Sequence, residues 1–557
     1  MGTKKLWFFF LVFSTLTFSQ NLSINPNHPV YDFLKQLRVK NILTNYDDVV
    51  LPLTRGEIYS ELQTAKDSLH LLSESDKEKL SFFLRYFPSV RKVDNSFWGS
   101  DSLTLKQHFF SNQENFAYLD QDSLFTFTFA PIVTTKNILL DNSNEKGSSS
   151  FLVTYGGAFS LEYDDWFACY LEAWNGFHAG SRIASQTDQR VNQSFSFNHT
   201  GLNYFDQTSG YVTLKKSIFK LQVGRERVLW GVSRFEQSIL NNTSQMFDFV
   251  KFDISYKQFS YKYLHGWLVQ PTVTTYVDSL RYNVKSKNSK YIVTSRLGYQ
   301  PFANLSLGIG QTIIYGNRPV ELAYLNPFLL WESAQRSLND LDNSFLHFDA
   351  RYRPWNGLEM NGTFTFDDIN FNFLKKDKWN SAGNRIAWQL GFAASVPFLS
   401  ERLMVYGGHV QIRPYTYSHP NGGEALTYTN NGFPLGLDLQ PNSAMTSIKL
   451  VYDFSAKLSS YFLLRHKIHG DNILDKDGNV IRNVGGSILL STRFFDPQVA
   501  YFLDGEKVIT DSYKMNLRYL VSYNLNVVLE GDYIRVAKVN NTTTTFFSSL
   551  QINYNFY

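Results

Sequence analysis

A single cysteine, six methionines and no long apolar run limit what this 557-residue chain can be. Cys169 alone cannot build an internal disulfide framework, and it rules out any multi-cysteine metal centre. After residue 20 the apolar runs are short, as in Pro327-Phe328-Leu329-Leu330-Trp331. A membrane-spanning helix needs about 20 apolar residues. An excess of charge is missing too: Lys and Arg number 53 against 49 Asp and Glu, and removal of residues 1–19 would take Lys4 and Lys5 and leave +2. A nucleic-acid partner calls for a concentrated basic patch, and the sequence has none.

What the chain has is aromatic carbon. Phe and Tyr number 48 and 33, and aromatics make up 16% of the residues. Both residues suit pleated strands and the interfacial girdles of membrane barrels. The mean hydropathy of −0.25 fits a soluble protein, and equally a barrel whose polar lumen dilutes its apolar band. The N-terminus reads as an export signal over residues 1–19: Lys4 and Lys5, an apolar run from Leu6 to Phe18, and small Thr17 and Ser19 before Gln20. An uncleaved anchor is the competing reading, disfavoured by polar Asn21, Ser23 and Asn25.

Residues 20–98 read as a small helical bundle. Val30, Phe33, Leu34 and Leu37 share one helical face. Thr54 and Glu57 predict a capping box ahead of Ile58, Leu62, Ala65 and Leu69, and Ser75 with Glu78 predicts a second one ahead of Leu80, Phe83, Leu84 and Phe87. Over residues 99–557 the period drops to two. Leu124 to Phe129, Ser217 to Val223 and Met360 to Phe366 each alternate large apolar with small or polar side chains. Alternation alone does not separate a soluble sandwich from a barrel with lipid outside and lumen inside. The pattern runs to the end of the chain through Leu550, Ile552, Tyr554 and Phe556, a terminal aromatic strand of the kind read by barrel-assembly machinery, although Tyr557 shifts the register. At about 25 residues per strand and connection, the segment holds some 16–20 antiparallel strands.

Two clusters are candidate sites. Arg225, Glu226, Arg227 and Trp230 read as a barrel-wall network, but strict alternation from Phe219 and Leu221 would turn Arg225 and Arg227 towards lipid. The sequence therefore predicts a bulge near Gly224, or a position beyond the apolar band. Tyr415, Tyr417 and His419 lie among prolines in a loop and are candidate glycan contacts, their rings stacking on sugar faces. A rigid interfacial loop is the alternative. Enzyme-like signals fail. Adjacent Asp367 and Asp368 point to opposite strand faces, His466 and His469 lack zinc-protease spacing, and Asp475-x-Asp477-Gly478 reads as a hairpin turn. No cofactor or metal site is expected, and a non-catalytic protein is.

Taken in order, Pro52-Leu53-Thr54-Arg55, Gly224-Arg225-x-Arg227 with Trp230-Gly231, Leu325-Asn326-Pro327, Asn343 with Asp349-Ala350-Arg351, Asp367-Asp368, Tyr415-x-Tyr417-Ser418-His419 and Pro434-Leu435-Gly436 resemble the Wzi-type capsule assembly proteins, in particular their Bacteroidetes branch. Leu229, where a second aromatic is expected, and Val232-Ser233-Arg234, in place of a Gly/Pro-rich turn, depart from that pattern. The resemblance implies an outer-membrane barrel of about 18 strands in a Gram-negative bacterium, with the helical bundle on the periplasmic side and loops folded inward. It further implies a lectin-like role in binding, anchoring or organising capsular polysaccharide, with outer-membrane lipid, that polysaccharide and the assembly machinery as partners. The competing functions are a small-solute channel with Arg225, Glu226 and Arg227 in a selectivity wall, and a barrel hydrolase, for which no nucleophile–base set is present.

Overall fold

The computed structural model describes residues 20–87, 116–121, 124–142, 146–194, 196–199, 202–233, 236–270, 273–277, 282–286, 288–339, 342–367, 379–420, 423–539 and 541–555. The export signal 1–19, residues 88–98 of the bundle, Arg234, Asp368, Phe556 and Tyr557 lie outside the described residues.

Three helices open the fold: α1 (Pro29–Val39), α2 (Arg55–Asp67) and α3 (Glu74–Tyr86). Pro29 sits in the first turn of α1, where its missing N–H costs nothing, and His28 Nδ1 accepts from Val30 N at 3.1 Å. The capping box of α2 forms as predicted: Thr54 Oγ1 accepts from Glu57 N (3.2 Å), and Glu57 accepts from Thr54 N (2.7 Å). The cap of α3 is a correction. Ser73, not Ser75, has the extended backbone of an N-cap, and its hydroxyl accepts from Asp76 N at 3.2 Å. Val30, Phe33, Leu34 and Leu37 pack against Ile58, Leu62, Leu80, Phe83 and Phe87, and the cluster takes in Leu229 and Tyr523 from outside the bundle. Helices this short gain their stability from such packing.

Eighteen antiparallel strands then close into a barrel. They are β1 (Phe125–Asn142), β2 (Ser148–Tyr163), β3 (Phe167–Gly180), β4 (Leu202–Lys216), β5 (Phe219–Glu226) and β6 (Phe247–Tyr256); β7 (Phe259–Leu268), β8 (Lys290–Phe302), β9 (Leu305–Gly316), β10 (Asn343–Trp355), β11 (Leu358–Asp367) and β12 (Arg385–Ser395); and β13 (Leu403–Ile412), β14 (Ser443–Asp453), β15 (Leu458–Asp471), β16 (Glu506–Leu520), β17 (Leu525–Lys538) and β18 (Asn541–Tyr554). Each pairs with its neighbour in sequence, and β18 pairs with β1 from Tyr554↔Val133 to Thr545↔Asn142, so no long edge is left open.

The faces settle what alternation left open. Phe151, Tyr155, Phe159, Leu297, Leu307, Ile309, Phe364, Leu390, Phe462 and Leu550 point outward and are exposed, while Thr128, Lys220, Gln222, Thr294, Arg351 and Glu359 point inward and are buried. That is the reverse of a soluble sandwich. A ring of exposed apolar side chains this large belongs in a bilayer. Connections of two residues, such as Lys257–Gln258 and Ala303–Asn304, lie at the end that holds the helical bundle, and long loops crown the other end.

Candidate functional site

The helical bundle enters the lumen and is tied to the wall by buried ion pairs. Lys35 and Arg38, one turn apart on α1, both meet Glu359 of β11, at 2.5 and 2.6 Å. Arg351 of β10 meets Asp48 at 2.5 Å and Asp47 at 2.7 Å, and Lys220 of β5 meets Glu57 at 2.8 Å. Lys79 of α3 pairs with Asp453 at the end of β14. Burial alone would raise the Asp47 and Glu57 carboxyls, but Arg351 and Lys220 outweigh it and hold both well below the usual range. This is how inward charges are carried in a barrel: each of these has a partner on the plug, and Arg296 of β8 has one on the wall, Asp349 of β10 (2.6 Å).

From the other end the loops fold inward, and the two plugs meet. Val50 and Leu51, between α1 and α2, pair as a short ladder with Trp230 and Leu229. Trp230 in turn bridges to Leu240, and Asn241 N donates to Leu435 O at 2.8 Å. One apolar cluster runs through Val50, Trp230, Ile239, Leu264, Ile292, Phe345, Tyr417, Tyr428 and Leu435. It joins plug, wall and loops across the barrel interior.

Tyr415, Tyr417 and His419 belong to this interior, which corrects their reading as glycan contacts. They are 1%, 5% and 7% exposed. Tyr417 stacks on Tyr428 (5.1 Å between rings) and lies against Phe345, and Tyr415 donates from its hydroxyl to Asn483 O at 3.0 Å. Burial pushes the Tyr415 phenol up to about 12. Both tyrosines adopt left-handed backbone conformations (φ 64° and 73°), which bulky residues hold only where surrounding contacts fix them. Asp367 does so by accepting from Tyr417 N at 2.5 Å.

The second cluster disperses. The ladder of β5 with β6 runs without a register shift, so there is no bulge at Gly224. Glycine is needed there for another reason: a Cβ would fall 2.2 Å from Gly210 O on β4. Arg225 does face outward, in a two-pronged pair with its cross-strand partner Asp248 (2.8 and 2.9 Å). Phe219, Leu221 and Val223 lie below it and β5 ends one residue later, so the pair caps the apolar face. Glu226 faces the lumen beside Gln222 (3.0 Å), Arg227 donates to Asn242 O (2.7 Å), and Trp230 is in the central cluster. These four residues form neither a single network nor a selectivity wall. Leu229 packs into the helical bundle's core, where the expected aromatic would have been larger.

His466 and His469 also part company. His466 meets Asp511 on the outer face (2.7 Å), while His469 meets Gly486 O (2.8 Å). Asp475 closes the predicted hairpin turn by accepting from Asp477 N and Asn479 N. Among the described residues, no cluster of three or more His, Cys, Asp or Glu side chains is placed to hold a metal ion.

Two features were not legible as sites in the sequence. A lumen cavity of about 600 Å³ runs beside the plug along β14 to β17. Lys449, Arg465, Lys467, Lys514, Arg518 and Asp532 line it. Arg465 pairs with Glu236 (2.8 Å) and Lys514 with Glu530 (2.9 Å). At the loop end, residues 380–382 and 498–500 form a short bridge (Ala382 N to Gln498 O, 2.9 Å; Ala500 N to Asn380 O, 2.8 Å). Trp379 and Tyr501 flank it at the same end, 46% and 59% exposed, and the Arg413 guanidinium lies 4.7 Å from the Trp379 ring. Phe494 and Phe495 are exposed on the same loop as Tyr501.

This geometry has a counterpart among solved structures. Over 96% of this chain and 99% of the other, it superposes on Wzi, an outer-membrane protein involved in group 1 capsule assembly in Escherichia coli and described as a carbohydrate-binding β-barrel, with a TM-score of 0.57 and 11% identity. Acinetobacter baumannii OccAB2 (TM-score 0.43, 9% identity, 76% of this chain and 98% of that one) and Pseudomonas aeruginosa OpdK (0.41, 10%, 76% and 97%) are more distant. No curated protein sequence matches the chain. The family model described as capsule assembly protein Wzi matches residues 143–481, more than half of the length, so the chain belongs to the Wzi capsule assembly family.

Proposed function

We propose that this protein is a non-catalytic outer-membrane barrel that holds exported polysaccharide at its loop end, with the helical plug on the periplasmic side. The observation that carries this reading is the continuous packed cluster from Val50 through Trp230 to Leu435 and Tyr428, in a member of a capsule assembly family. A lumen plugged from both ends, with one cavity left along β14 to β17, leaves the outer loops as the working surface. Sugar recognition there falls to the exposed rings of Trp379 and Tyr501, which offer the flat apolar faces that pyranose rings stack on, while the buried Arg413 guanidinium holds Trp379 in place through its ring and its carbonyl (2.8 Å). Barrel-assembly machinery is the expected partner in biogenesis. Trp379→Ala with Tyr501→Ala should release surface polysaccharide from cells that still carry the folded barrel. Full retention of polysaccharide in a strain lacking the protein would overturn the reading.

A second reading rests on the charged cavity along β14 to β17, which would suit a narrow solute path. Reconstitution in planar bilayers separates the two: the polysaccharide reading expects no steady current, and a channel requires one.

A further inference from the structure

The segment between β9 and β10 does not fold into the lumen. It lies on the outside of the barrel. On β7 the outward residues are odd-numbered, with Phe259 and Trp267 exposed, yet Tyr263 (4%) and His265 (0%) on that same face are buried. Tyr291 and Val293 of β8 and Ile313 and Tyr315 of β9 are buried in the same way. What covers them is a hairpin made of the turn Leu322–Leu325 and the helix Trp331–Leu338, whose Tyr324 and Trp331 side chains pack into the patch.

The hairpin reaches far down the wall. Phe328 stacks on Tyr261 (5.4 Å between rings), and Tyr261 is in register with Leu297 and Ile309. Ile309 is near the middle of the 12-residue strand β9, whose length is about 40 Å at roughly 3.3 Å per residue. An irregular backbone at that depth has no water to bond to, and each unmet group would cost several kcal/mol, so it survives only where protein satisfies it. The wall supplies those partners. Gln311 donates to Leu329 O (2.8 Å) and accepts from Trp331 N (3.1 Å). Tyr263 donates to Tyr324 O (2.9 Å), and Tyr261 donates to Pro327 O. Within the hairpin, Asn326 accepts from Phe328 N (3.1 Å) through its side chain and from Trp331 Nε1 (3.1 Å) through its carbonyl. Charge is paired: Arg318 meets Asp342 (2.5 Å) in the stem, and on the helix Glu332 accepts from Ser344 at the start of β10 (2.5 Å) and pairs with Arg336 one turn on (2.7 Å), the arginine side chain 73% exposed. The tip is apolar and bare, with Leu322, Phe328 and Leu330 77%, 70% and 73% exposed.

We propose that this hairpin is a re-entrant element that enters the bilayer from the loop end, and that Leu322, Phe328 and Leu330 contact lipid acyl chains. Its apolar tip continues the barrel's own lipid-facing surface, and the backbone groups of Tyr324, Pro327, Leu329 and Trp331 at that tip are bonded to the wall. The occupant is therefore hydrocarbon, and neither a second protein nor solvent.

Spin labels test this in proteoliposomes of the full chain. In a Cys169→Ala background, Phe328→Cys and Leu330→Cys would be labelled separately, with Val223→Cys as the lipid-facing reference and Asp477→Cys, in an exposed turn, as the aqueous one. The expected result is oxygen collision well above collision with a water-soluble nickel chelate at both hairpin sites, as at Val223. A nickel-accessible label would place the hairpin in water, and a label shielded from both reagents would mean a protein covers it. Either outcome overturns the proposal. Leu322→Cys gives the same readout should one of the first two variants not fold.

Discussion

Glu359→Gln removes one negative charge from a site where two cations depend on it. Lys35, Arg38 and Glu359 are 1%, 2% and 0% exposed, so water does not replace what is lost. Breaking a buried pair from one side costs about 3–5 kcal/mol, because the remaining charge stays buried without its partner. Here the lower end applies. Lys35 keeps Asp48 at 3.7 Å, and Arg38 keeps the Tyr46 carbonyl. A loss of about 3 kcal/mol raises the undocked population of α1 by roughly two orders of magnitude, at about 1.4 kcal/mol per tenfold. Hydrogen exchange reads this directly: the amides of α1 should exchange about a hundredfold faster in Glu359→Gln, while those of β10, β11 and β12 keep their wild-type rates. Adding Lys35→Met and Arg38→Leu to Glu359→Leu should restore much of the protection, since an apolar set of similar volume does not have to desolvate charge. Unchanged α1 exchange in Glu359→Gln would refute the claim that this triad anchors the plug.

Further outcomes are expected elsewhere. Burial, then Arg518 and Arg55, holds the His28 imidazole down to about 3. The unfolded chain gains a proton below about 6.5 that the bundle refuses, so helix stability should be complete above that pH and fall by about 1.4 kcal/mol per unit towards pH 3; exchange of α1 measured at pH 7 and 5 checks this, and His28→Asn should flatten the slope. Asp248→Ala leaves Arg225 alone on the outer face, and refolding into bilayers should show a loss of about 0–1 kcal/mol if the pair sits at the interface, against about 2–4 for an arginine at mid-bilayer. Tyr417→Ala opens a void beneath Tyr428 and Phe345 that should cost about 3–5 kcal/mol and expose the 413–442 loop to proteolysis while the wall stays intact.

The wall and the bundle were legible because each obeys a period. Phe125, Phe127 and Phe129 alternate as the strand requires, and the Thr54–Glu57 pair marks a helix start by chemistry alone. Ser73 was missed because Ser75 also has an acid three residues on; which serine takes the extended conformation is decided by the chain entering from Leu72. The inner plug carries no period. Tyr415 and Tyr417 lie among prolines and look like a surface loop, and only the inward course of several distant segments reveals that they are core. Alternation sets Arg225 outward, and of the two resolutions the sequence offers, a bulge near Gly224 or a position beyond the apolar band, the ladder lacks the first. What the sequence does not carry is the cross-strand register that sets Asp248 opposite it. The apolar run Pro327 to Trp331 within the hairpin is too short to span a membrane, a test that says nothing of a segment that enters and returns along a wall.

The ladder of Val50 and Leu51 with Trp230 and Leu229 bears on how the molecule is made. Residues near the start of the chain are interlocked with a loop from its middle, inside a ring whose seam joins β1 to β18. That seam waits for the last strand to be synthesised. An interior interlocked in this way is simplest to sort while the ring is still open, with the wall closing around contents already in place. For such a chain, closing the ring first would oblige Val50 and Leu51 to find Trp230 and Leu229 from outside a finished cylinder.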